Sequence, residues 1–170
     1  MEREALHRLW MERLLRRAER VGDLGEVPVA AVVLDPRGRA VGWGSNCRHR
    51  DQDPLGHAEL VALRQAATAM GTWRFEGCTL LVTLEPCPMC AGALIQARVA
   101  TVVFGAVDPK RGALGGILNL GSHPSAHHSL QVISGVKGRE AEGQLKAWFK
   151  RRRQSRARRR GNGATPFPGD

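Results

Sequence analysis

The sequence predicts an α/β fold, a three-layer α/β/α domain whose middle layer is a mixed sheet of five strands. Three observations favour it. The chain of 170 residues is close to the size of one ordinary domain. Its 42% hydrophobic and 25% charged residues are typical of a globular protein. Helical and strand patterns alternate after an opening hairpin, which indicates a mixed sheet with helices on both faces. In such sheets catalytic groups often lie where a strand leads into a helix.

The N-terminal part of the chain predicts one helix and one hairpin. Residues 2–21 carry apolar side chains at the three-to-four spacing of an amphipathic helix, namely Leu6, Trp10, Leu14, Ala18 and Val21. Residues 27–34 form an apolar run rich in β-branched side chains, and residues 40–46 resume with Val41 and Trp43. The Asp-Pro-Arg-Gly sequence between them has the residues of a type I turn, so we expect a hairpin of two strands.

The remaining elements alternate along the chain. Polar residues 47–56 predict a loop and irregular residues 108–128 predict a second one. Helices are predicted at residues 57–70, at 91–98 after the Glu-Pro-Cys-Pro-Met-Cys sequence, and at 138–153. Strands are predicted at residues 78–84 and 101–106, with a short fifth strand at 130–134.

Positive charge is concentrated at the end of the chain. The sequence has 26 Lys and Arg against 16 Asp and Glu, a net charge of +10, and eight of those cations lie between Lys150 and Arg160. We therefore expect one globular domain at residues 1–153 and a basic, disordered tail at 154–170 that has almost nothing to bury. Such a tail favours a polyanionic partner, above all nucleic acid, although charge alone is equally compatible with a solvated tail that only aids solubility.

Two further patterns concern location and redox state. No apolar run approaches the roughly 18 residues of a membrane span, and the charged N-terminus lacks the apolar stretch of a secretory signal. We therefore expect a cytoplasmic protein that does not enter a membrane. Four cysteines stand at positions 47, 78, 87 and 90. In a reducing compartment, close cysteine pairs indicate metal or redox chemistry rather than disulfides.

Cys87 and Cys90 form a C-x-x-C pair that has three interpretations by itself: half of a zinc site, a redox pair of the thioredoxin type, or two small core residues. A zinc ribbon with four thiolates would need a second such pair, and Cys47 and Cys78 are not spaced for one. A thioredoxin-type pair would follow the first strand of its unit, whereas this pair comes late in the chain. Neither alternative accounts for His57.

His57 and Glu59 open the preceding predicted helix. Within a helix, residues two apart point about 200° away from each other, but at the N-terminus both can reach a point just beyond the helix end. Cys87 and Cys90, three apart in another first turn, face one direction. The simpler interpretations are a capping His and a Glu that satisfies the helix dipole. Two converging helix N-termini would instead form a catalytic zinc set of three protein ligands, with Glu59 beside it as proton shuttle.

The two motifs together match the H-x-E and P-C-x-x-C signature of zinc-dependent nucleobase deaminases. From the first helix to Arg153 the sequence resembles the bacterial tRNA-specific adenosine deaminases of the cytidine deaminase-like superfamily. The segments that carry this closer resemblance are Glu26-Val27-Pro28-Val29, Thr83-Leu84-Glu85-Pro86-Cys87 and Phe104-Gly105-Ala106.

The resemblance implies a cytidine deaminase-like fold and a hydrolytic reaction at the wobble adenosine of a tRNA anticodon, in an arginine tRNA, that yields inosine and ammonia. It implies that His57, Cys87 and Cys90 bind one Zn²⁺ per subunit. Glu59 would then move protons between the activated water, adenine N1 and the leaving amine. It also implies a homodimer that binds the anticodon stem-loop.

Three further residues are candidates for substrate contact. Asn46 and Asp108 match family positions near the target nucleotide, although a strand-end Asn and a turn-forming Asp before a proline are simpler interpretations. Phe149 stands next to Trp148 and the cations of residues 150–153, and exposed rings beside cations stack bases and hold phosphates. The helical pattern predicts that Trp148 belongs to the core, which leaves Phe149 as the ring for the anticodon loop.

Departures from the family pattern lie near the expected substrate rim: Val107 in place of an Arg, Ala30 in place of a Gly, and residues 47–50. Two other functions remain open at this point. One is the same chemistry on free cytosine, cytidine or guanine, which would give the basic C-terminus no evident role. The other is a zinc-stabilised RNA-binding protein without catalysis, which would give Glu59 no role.

Overall fold

The computed structural model describes residues 2–161 and the side chains of residues 2–158. Its α-helices are α1 Glu2–Asp23, α2 Arg48–Asp51, α3 Ala58–Met70, α4 Pro88–Gln96 and α5 Gly138–Gly161. Its strands are β1 Ala30–Leu34, β2 Ala40–Ser45, β3 Thr79–Leu84, β4 Thr101–Ala106 and β5 Gln131–Ile133. A single 3₁₀ turn, Leu120–Ser122, interrupts the long loop between β4 and β5 in this part of the chain.

The five strands form one mixed sheet in the order β2-β1-β3-β4-β5. β1 runs antiparallel to both β2 and β3, while β3, β4 and β5 are parallel. Because Leu84 pairs with Ala106, β3 and β4 end together at one edge of the sheet. The hairpin and the short fifth strand are confirmed, and with them the mixed five-stranded sheet.

Two hydrophobic clusters lie on opposite faces of the sheet because successive strand residues point to opposite sides. Ala31, Leu80 and Val102 pack in the cluster that includes α3 and α4, whereas Val32 and Leu81 pack in the cluster that includes α1. Helix α5 lies beside α1, since Trp148 Nε1 donates to the Gly22 carbonyl over 2.9 Å and Gln144 Nε2 donates to the Leu15 carbonyl over 2.9 Å. These layers confirm the predicted α/β/α arrangement.

Strand β2 lies unusually close to α3. A Cβ atom on Gly42 would stand 2.3 Å from the Ala62 carbonyl oxygen, and one on Gly44 would stand 1.8 Å from the Ala58 carbonyl oxygen. Neither distance is sterically possible, so glycine at these two positions lets the helix backbone rest directly on the strand. This contact sets the position of the N-terminus of α3 against the sheet.

The structure differs from the sequence prediction in two segments. Residues 47–56, predicted as loop, contain the single turn of α2. Helix α5 continues through Gly161, whereas the sequence predicts that this helix ends at Arg153 and that the tail begins at residue 154. The physical reason is that Arg, Ala and Gln have high helix propensity and extend a helix that is already anchored, which removes the cost of nucleation. The rest of the predicted tail, residues 162–170, lies outside the described residues.

Within residues 2–161, no helix is both long enough and apolar enough to cross a membrane.

A candidate active site at two helix N-termini

The N-termini of α3 and α4 each present a potential metal ligand at the capping position. His57 and Cys87 are the N-cap residues, both have extended backbone, and neither side chain makes a capping hydrogen bond. Pro88 follows Cys87 in the first turn, where the N–H that proline lacks would have no partner within the helix. The interpretation of His57 as a simple cap is therefore not supported, and both side chains are available for other chemistry.

His57, Cys87 and Cys90 converge as the sequence predicts. The Nδ1 atom of His57 lies 3.6 Å from Cys87 Sγ and 3.5 Å from Cys90 Sγ, and the three donor atoms all lie within 4.8 Å of one another. Zinc bonds of about 2.3 Å to sulfur and about 2.0 Å to nitrogen in a tetrahedron separate such donors by about 3.5 Å. The observed spacing and the chemistry of one imidazole with two thiols thus fit a zinc ion.

The electrostatics of the three donor side chains favour one thiolate. A hydrogen bond from Cys90, aided by His57, lowers the pKa of the Cys87 thiol to about 4. The same pairing raises the pKa of Cys90, because the two sulfurs share one proton. The hydrogen bond to Cys87 also raises the pKa of His57. The positive end of α4 adds to the stabilisation of negative sulfur.

Glu59 lies beside this donor set without belonging to it. Its side chain is buried, with only 4% of the residue exposed, and its carboxyl interacts with Cys90. Burial raises the pKa of the Glu59 carboxyl to about 7, a value at which a group can both accept and release a proton near neutral pH. The sequence prediction placed Glu59 near the donors, and the structure does place it there.

Asn46 is buried at the end of β2 and is held by a second carboxylate. Its Nδ2 atom donates to Glu26 over 3.3 Å, and the other oxygen of Glu26 accepts the backbone N–H of Arg50 over 2.6 Å. The N–H of Cys47 donates to the Gly56 carbonyl over 2.9 Å, which keeps Asn46 next to the residue that precedes His57. The sequence analysis assigned no role to Glu26. The one feature that could have indicated it is its position as an acidic residue directly before an apolar run.

Asp108 lies in the loop after β4, and Phe149 lies on α5. Asp108 Oδ1 accepts the backbone N–H groups of Lys110 and Arg111 over 2.9 and 3.0 Å, so the turn-forming interpretation is observed. Phe149 is 43% exposed and stands edge-on against Trp148, with ring centroids 5.0 Å apart. Trp148 itself is buried, which confirms its prediction as a core residue. Substrate contact by Asn46, Asp108 and Phe149 stays a prediction.

Comparison with known proteins decides the family. The sequence profile of the cytidine and deoxycytidylate deaminase zinc-binding region matches residues 4–106. The chain belongs to this family. It is therefore a zinc-dependent hydrolytic deaminase, which confirms the enzyme class and the cofactor predicted from the two motifs.

The deaminase is similar to several bacterial proteins. It is 42% identical over 154 residues to the tRNA-specific adenosine deaminase of Bacillus subtilis, with 91% of this chain and 95% of that protein covered. It is 50% identical over 133 residues to a tRNA(Ile)-lysidine synthase of Deinococcus deserti, with 77% of this chain but only 24% of that longer protein covered. The predicted resemblance to the tRNA-specific adenosine deaminases is thereby confirmed.

A solved structure supports the same fold for the deaminase. A chain from a study of A-to-I editing by tRNA:A34 deaminases at the wobble position of transfer RNA superimposes with a TM-score of 0.76 at 38% identity. The match covers 79% of this chain and 96% of that one. The cytidine deaminase-like α/β fold expected from the motifs is therefore confirmed.

Proposed function

We propose that this deaminase converts the wobble adenosine, A34, of an arginine tRNA to inosine and ammonia, as a cytoplasmic homodimer. The observation that carries the proposal is the convergence of His57, Cys87 and Cys90, with 3.5 to 3.6 Å from imidazole to each sulfur, beside the buried carboxyl of Glu59. The similarity to proteins named for tRNA adenosine deamination supports the choice of substrate.

His57, Cys87 and Cys90 are assigned as the zinc ligands. They supply one imidazole and two thiolates from two helix N-termini, and three protein ligands are the number that a catalytic zinc site uses. Bound by these three residues, zinc would lower the pKa of water to about 7 and would so supply a nucleophile at neutral pH. The pairing that lowers the pKa of Cys87 favours the thiolate form that metal binding requires.

Glu59 is assigned as the proton carrier. Its buried carboxyl adjoins Cys90, so it faces the same space as the donors, and its raised pKa suits transfer in both directions. Glu59 accepts the proton of the nucleophile and delivers it to N1 of adenine, which makes C6 electrophilic. Once the hydroxyl group is bonded to C6, the Glu59 carboxylate takes the proton of that hydroxyl and passes it to the amino group, which leaves as ammonia while the C6 carbonyl of inosine forms.

Helix α5 is assigned to the RNA. Phe149 is exposed beside a groove of about 250 Å³ that Arg152, Arg153 and Arg156 also line. Trp148 also lines a second groove, of about 420 Å³, together with Arg151 and Ser155. An exposed ring stacks an unpaired base, and arginines around it hold phosphates. We therefore assign residues 1–153 to the deaminase domain and the remainder of α5 to phosphate contact.

The decisive experiment is incubation of the purified protein with an arginine-tRNA anticodon stem-loop and, separately, with cytosine, cytidine and guanine. We expect inosine at the wobble position only, because the basic face of α5 serves a polyanion rather than a free base. Turnover of a free base without turnover of the stem-loop would replace the proposal with a small-molecule deaminase.

Replacement of Glu59 tests the proton-carrier role. We expect Glu59→Ala and Glu59→Gln to retain about one zinc per chain and to lose turnover by at least about 10²-fold, because neither side chain can carry the proton. Zinc content is measured by atomic absorption and turnover by single-turnover kinetics. Activity near wild type in Glu59→Gln would show that another group moves the proton.

Replacement of Phe149 tests the assignment of α5. We expect Phe149→Ala to raise the KM for the stem-loop about tenfold or more, since base stacking on an aromatic ring is worth about 1–3 kcal/mol. Trp73→Ala is the matched control, because Trp73 is 60% exposed and stacks with Arg74 but follows α3, far along the chain from α5. Equal effects of both substitutions, or no effect of Phe149→Ala, would contradict the assignment.

A further inference from the structure

Glu85 is a buried carboxylate for which the proposed chemistry has no use. It is the first residue after β3, stands two residues before Cys87, and is only 2% exposed. Its Oε1 atom accepts the backbone N–H groups of Leu114 over 3.0 Å and Gly116 over 2.8 Å. Its Oε2 atom accepts the backbone N–H of Asp108 over 3.0 Å. One side chain thus binds three points of the loop that follows β4.

The loop is shaped around this carboxylate. A Cβ atom on Gly112 would stand 2.2 Å from Glu85 Oε2, and one on Gly116 would stand 2.5 Å from the same oxygen. Glycine is therefore required at both positions for the loop to close over the side chain. The N–H of Ala113 also donates to the Pro86 carbonyl over 2.9 Å, which joins the loop to the residue directly before Cys87.

The hydrogen bonds call for a carboxylate rather than any other polar group. Within residues 2–158, no lysine or arginine forms an ion pair with Glu85, so its charge is balanced by backbone N–H groups. All three contacts come from donors, and only a carboxylate presents two acceptor oxygens. A glutamine would set its own N–H₂ group against at least one of these N–H donors.

The position of the loop connects it to the active site. β3 and β4 are parallel and end at the same edge of the sheet, so Glu85, Cys87 and the loop after β4 all emerge together. Asp108, one of the predicted substrate contacts, is the second residue of this loop. A loop that is fastened to the start of α4 by Glu85 holds its position relative to Cys87 whether or not RNA is bound.

We propose that Glu85 is a positioning residue that holds the loop of residues 108–116 as a preformed rim for the RNA beside the metal site. This inference rests on the proposed function for the identity of the substrate. The rim is already ordered before RNA binds, so RNA binding does not carry the entropy cost of ordering this loop. In the part of the chain that the structure describes, the hydrogen bonds of the Glu85 side chain go to this loop and not to His57, Cys87 or Cys90.

The test is Glu85→Gln in the full-length protein with zinc bound. We expect zinc content to stay at the wild-type level and the backbone amides of residues 108–116 to exchange hydrogen about tenfold faster. We expect the KM for the anticodon stem-loop to rise about tenfold while kcat changes less than about threefold, because the loss concerns binding rather than chemistry. Gly116→Ala, which keeps the carboxylate but displaces the loop, provides a second variant with the same expected result.

Asp35→Asn is the matched control. Asp35 is also a buried carboxylate that accepts two backbone N–H groups, those of Arg37 and Arg39, each over 2.9 Å. It lies in the turn after β1, at the opposite edge of the sheet, because Leu34 pairs with Thr79 at the start of β3. We expect Asp35→Asn to leave the KM unchanged even if it lowers stability.

The outcomes separate the two hypotheses. If the wild-type protein does not deaminate the stem-loop, the proposed function fails whatever Glu85 does. If the wild-type protein does deaminate it, an unchanged KM in Glu85→Gln overturns the positioning role alone. Loss of zinc in Glu85→Gln also overturns the positioning role, because Glu85 would then support the metal site. Unchanged amide exchange in residues 108–116 overturns it as well, because Glu85 would then not hold the loop.

Discussion

Replacement of Gly44 with alanine should displace the helix that carries His57 and Glu59. The added Cβ atom would stand 1.8 Å from the Ala58 carbonyl oxygen and 2.7 Å from the Ala62 nitrogen, whereas contacts under 3.0 Å are essentially never made by real Cβ atoms. Both neighbours are backbone atoms, so no flexible side chain can move aside. The N-terminal turn of α3 must therefore shift away from β2 by more than about 1 Å, or the strand must bend by as much.

The size of that shift determines the expected effect. Overpacking of a close contact costs about 1–3 kcal/mol of unfolding free energy, and we expect the upper end because backbone meets backbone. Metal ligands must keep their distances to within about 0.2 Å, so a displacement of His57 by about 1 Å removes it from the zinc. A misplacement of that size in a catalytic group costs about 10²-fold in rate. Gly44→Ala should thus lose stability, zinc and turnover together.

The assay combines urea denaturation, zinc retention against a competing chelator, and deamination of the stem-loop. Gly92→Ala is the control: it lies within α4, two residues after Cys90, and a Cβ there would meet nothing within 4 Å. Alanine is the better helix former by about 1 kcal/mol, so this variant should gain stability and keep its zinc. Wild-type stability and zinc retention in Gly44→Ala would refute the inference that glycine lets β2 set the position of α3.

Three further results are expected. Removal of zinc by a chelator should abolish deamination, and added zinc should restore it; activity that survives in metal-free protein would contradict the assigned ligands. Trp148→Phe removes the Nε1 donor to the Gly22 carbonyl and should lower the unfolding free energy by about 1–3 kcal/mol, as urea denaturation can measure. Deletion of residues 155–170 removes Arg156 from both grooves and should flatten the dependence of stem-loop affinity on salt, with an unchanged slope counting against phosphate contact.

A truncation that removes more of α5 would not test RNA binding alone. Cutting the chain after Lys146 removes Phe149 together with Trp148, and the second of these is buried and bonded to α1. Loss of binding in that variant would reflect loss of packing between α5 and α1. Phe149→Ala is therefore the sharper experiment, because the exposed ring can be removed while the buried one stays.

The chemistry of the site was predictable because the residues that suggest it occur in short sequence motifs. His57 and Glu59 begin one helix, and Cys87 and Cys90 begin another, so the spacing within each pair already determines the direction of its side chains. The alternation of helix and strand then predicts that both helix starts lie at strand ends. Local periodicity also predicted that Trp148 is buried and Phe149 is exposed, as the structure shows.

What surrounds the site depends on contacts between residues that are distant in the chain, and only the tertiary structure reveals them. In the sequence, Glu85 is only part of a motif. The structure shows that its carboxylate binds a loop about 30 residues away. In the sequence, Gly44 is only a residue that weakens a strand. The structure shows that the backbone of α3 packs directly against it. Glu26 accepts a hydrogen bond from Asn46, which lies twenty residues later in the chain.

The physical reason for this division is that ligand type and local spacing are properties of a few neighbouring residues, whereas the placement of a loop or a helix is a property of the packed fold. Asp108 illustrates the limit, because its sequence context allowed both a substrate contact and a turn, and its hydrogen bonds to Lys110 and Arg111 establish the turn. The sequence alone therefore predicted which residues supply the candidate zinc ligands and the candidate proton carrier, and the packing of β2, α3 and the loop after β4 decided how those residues are held.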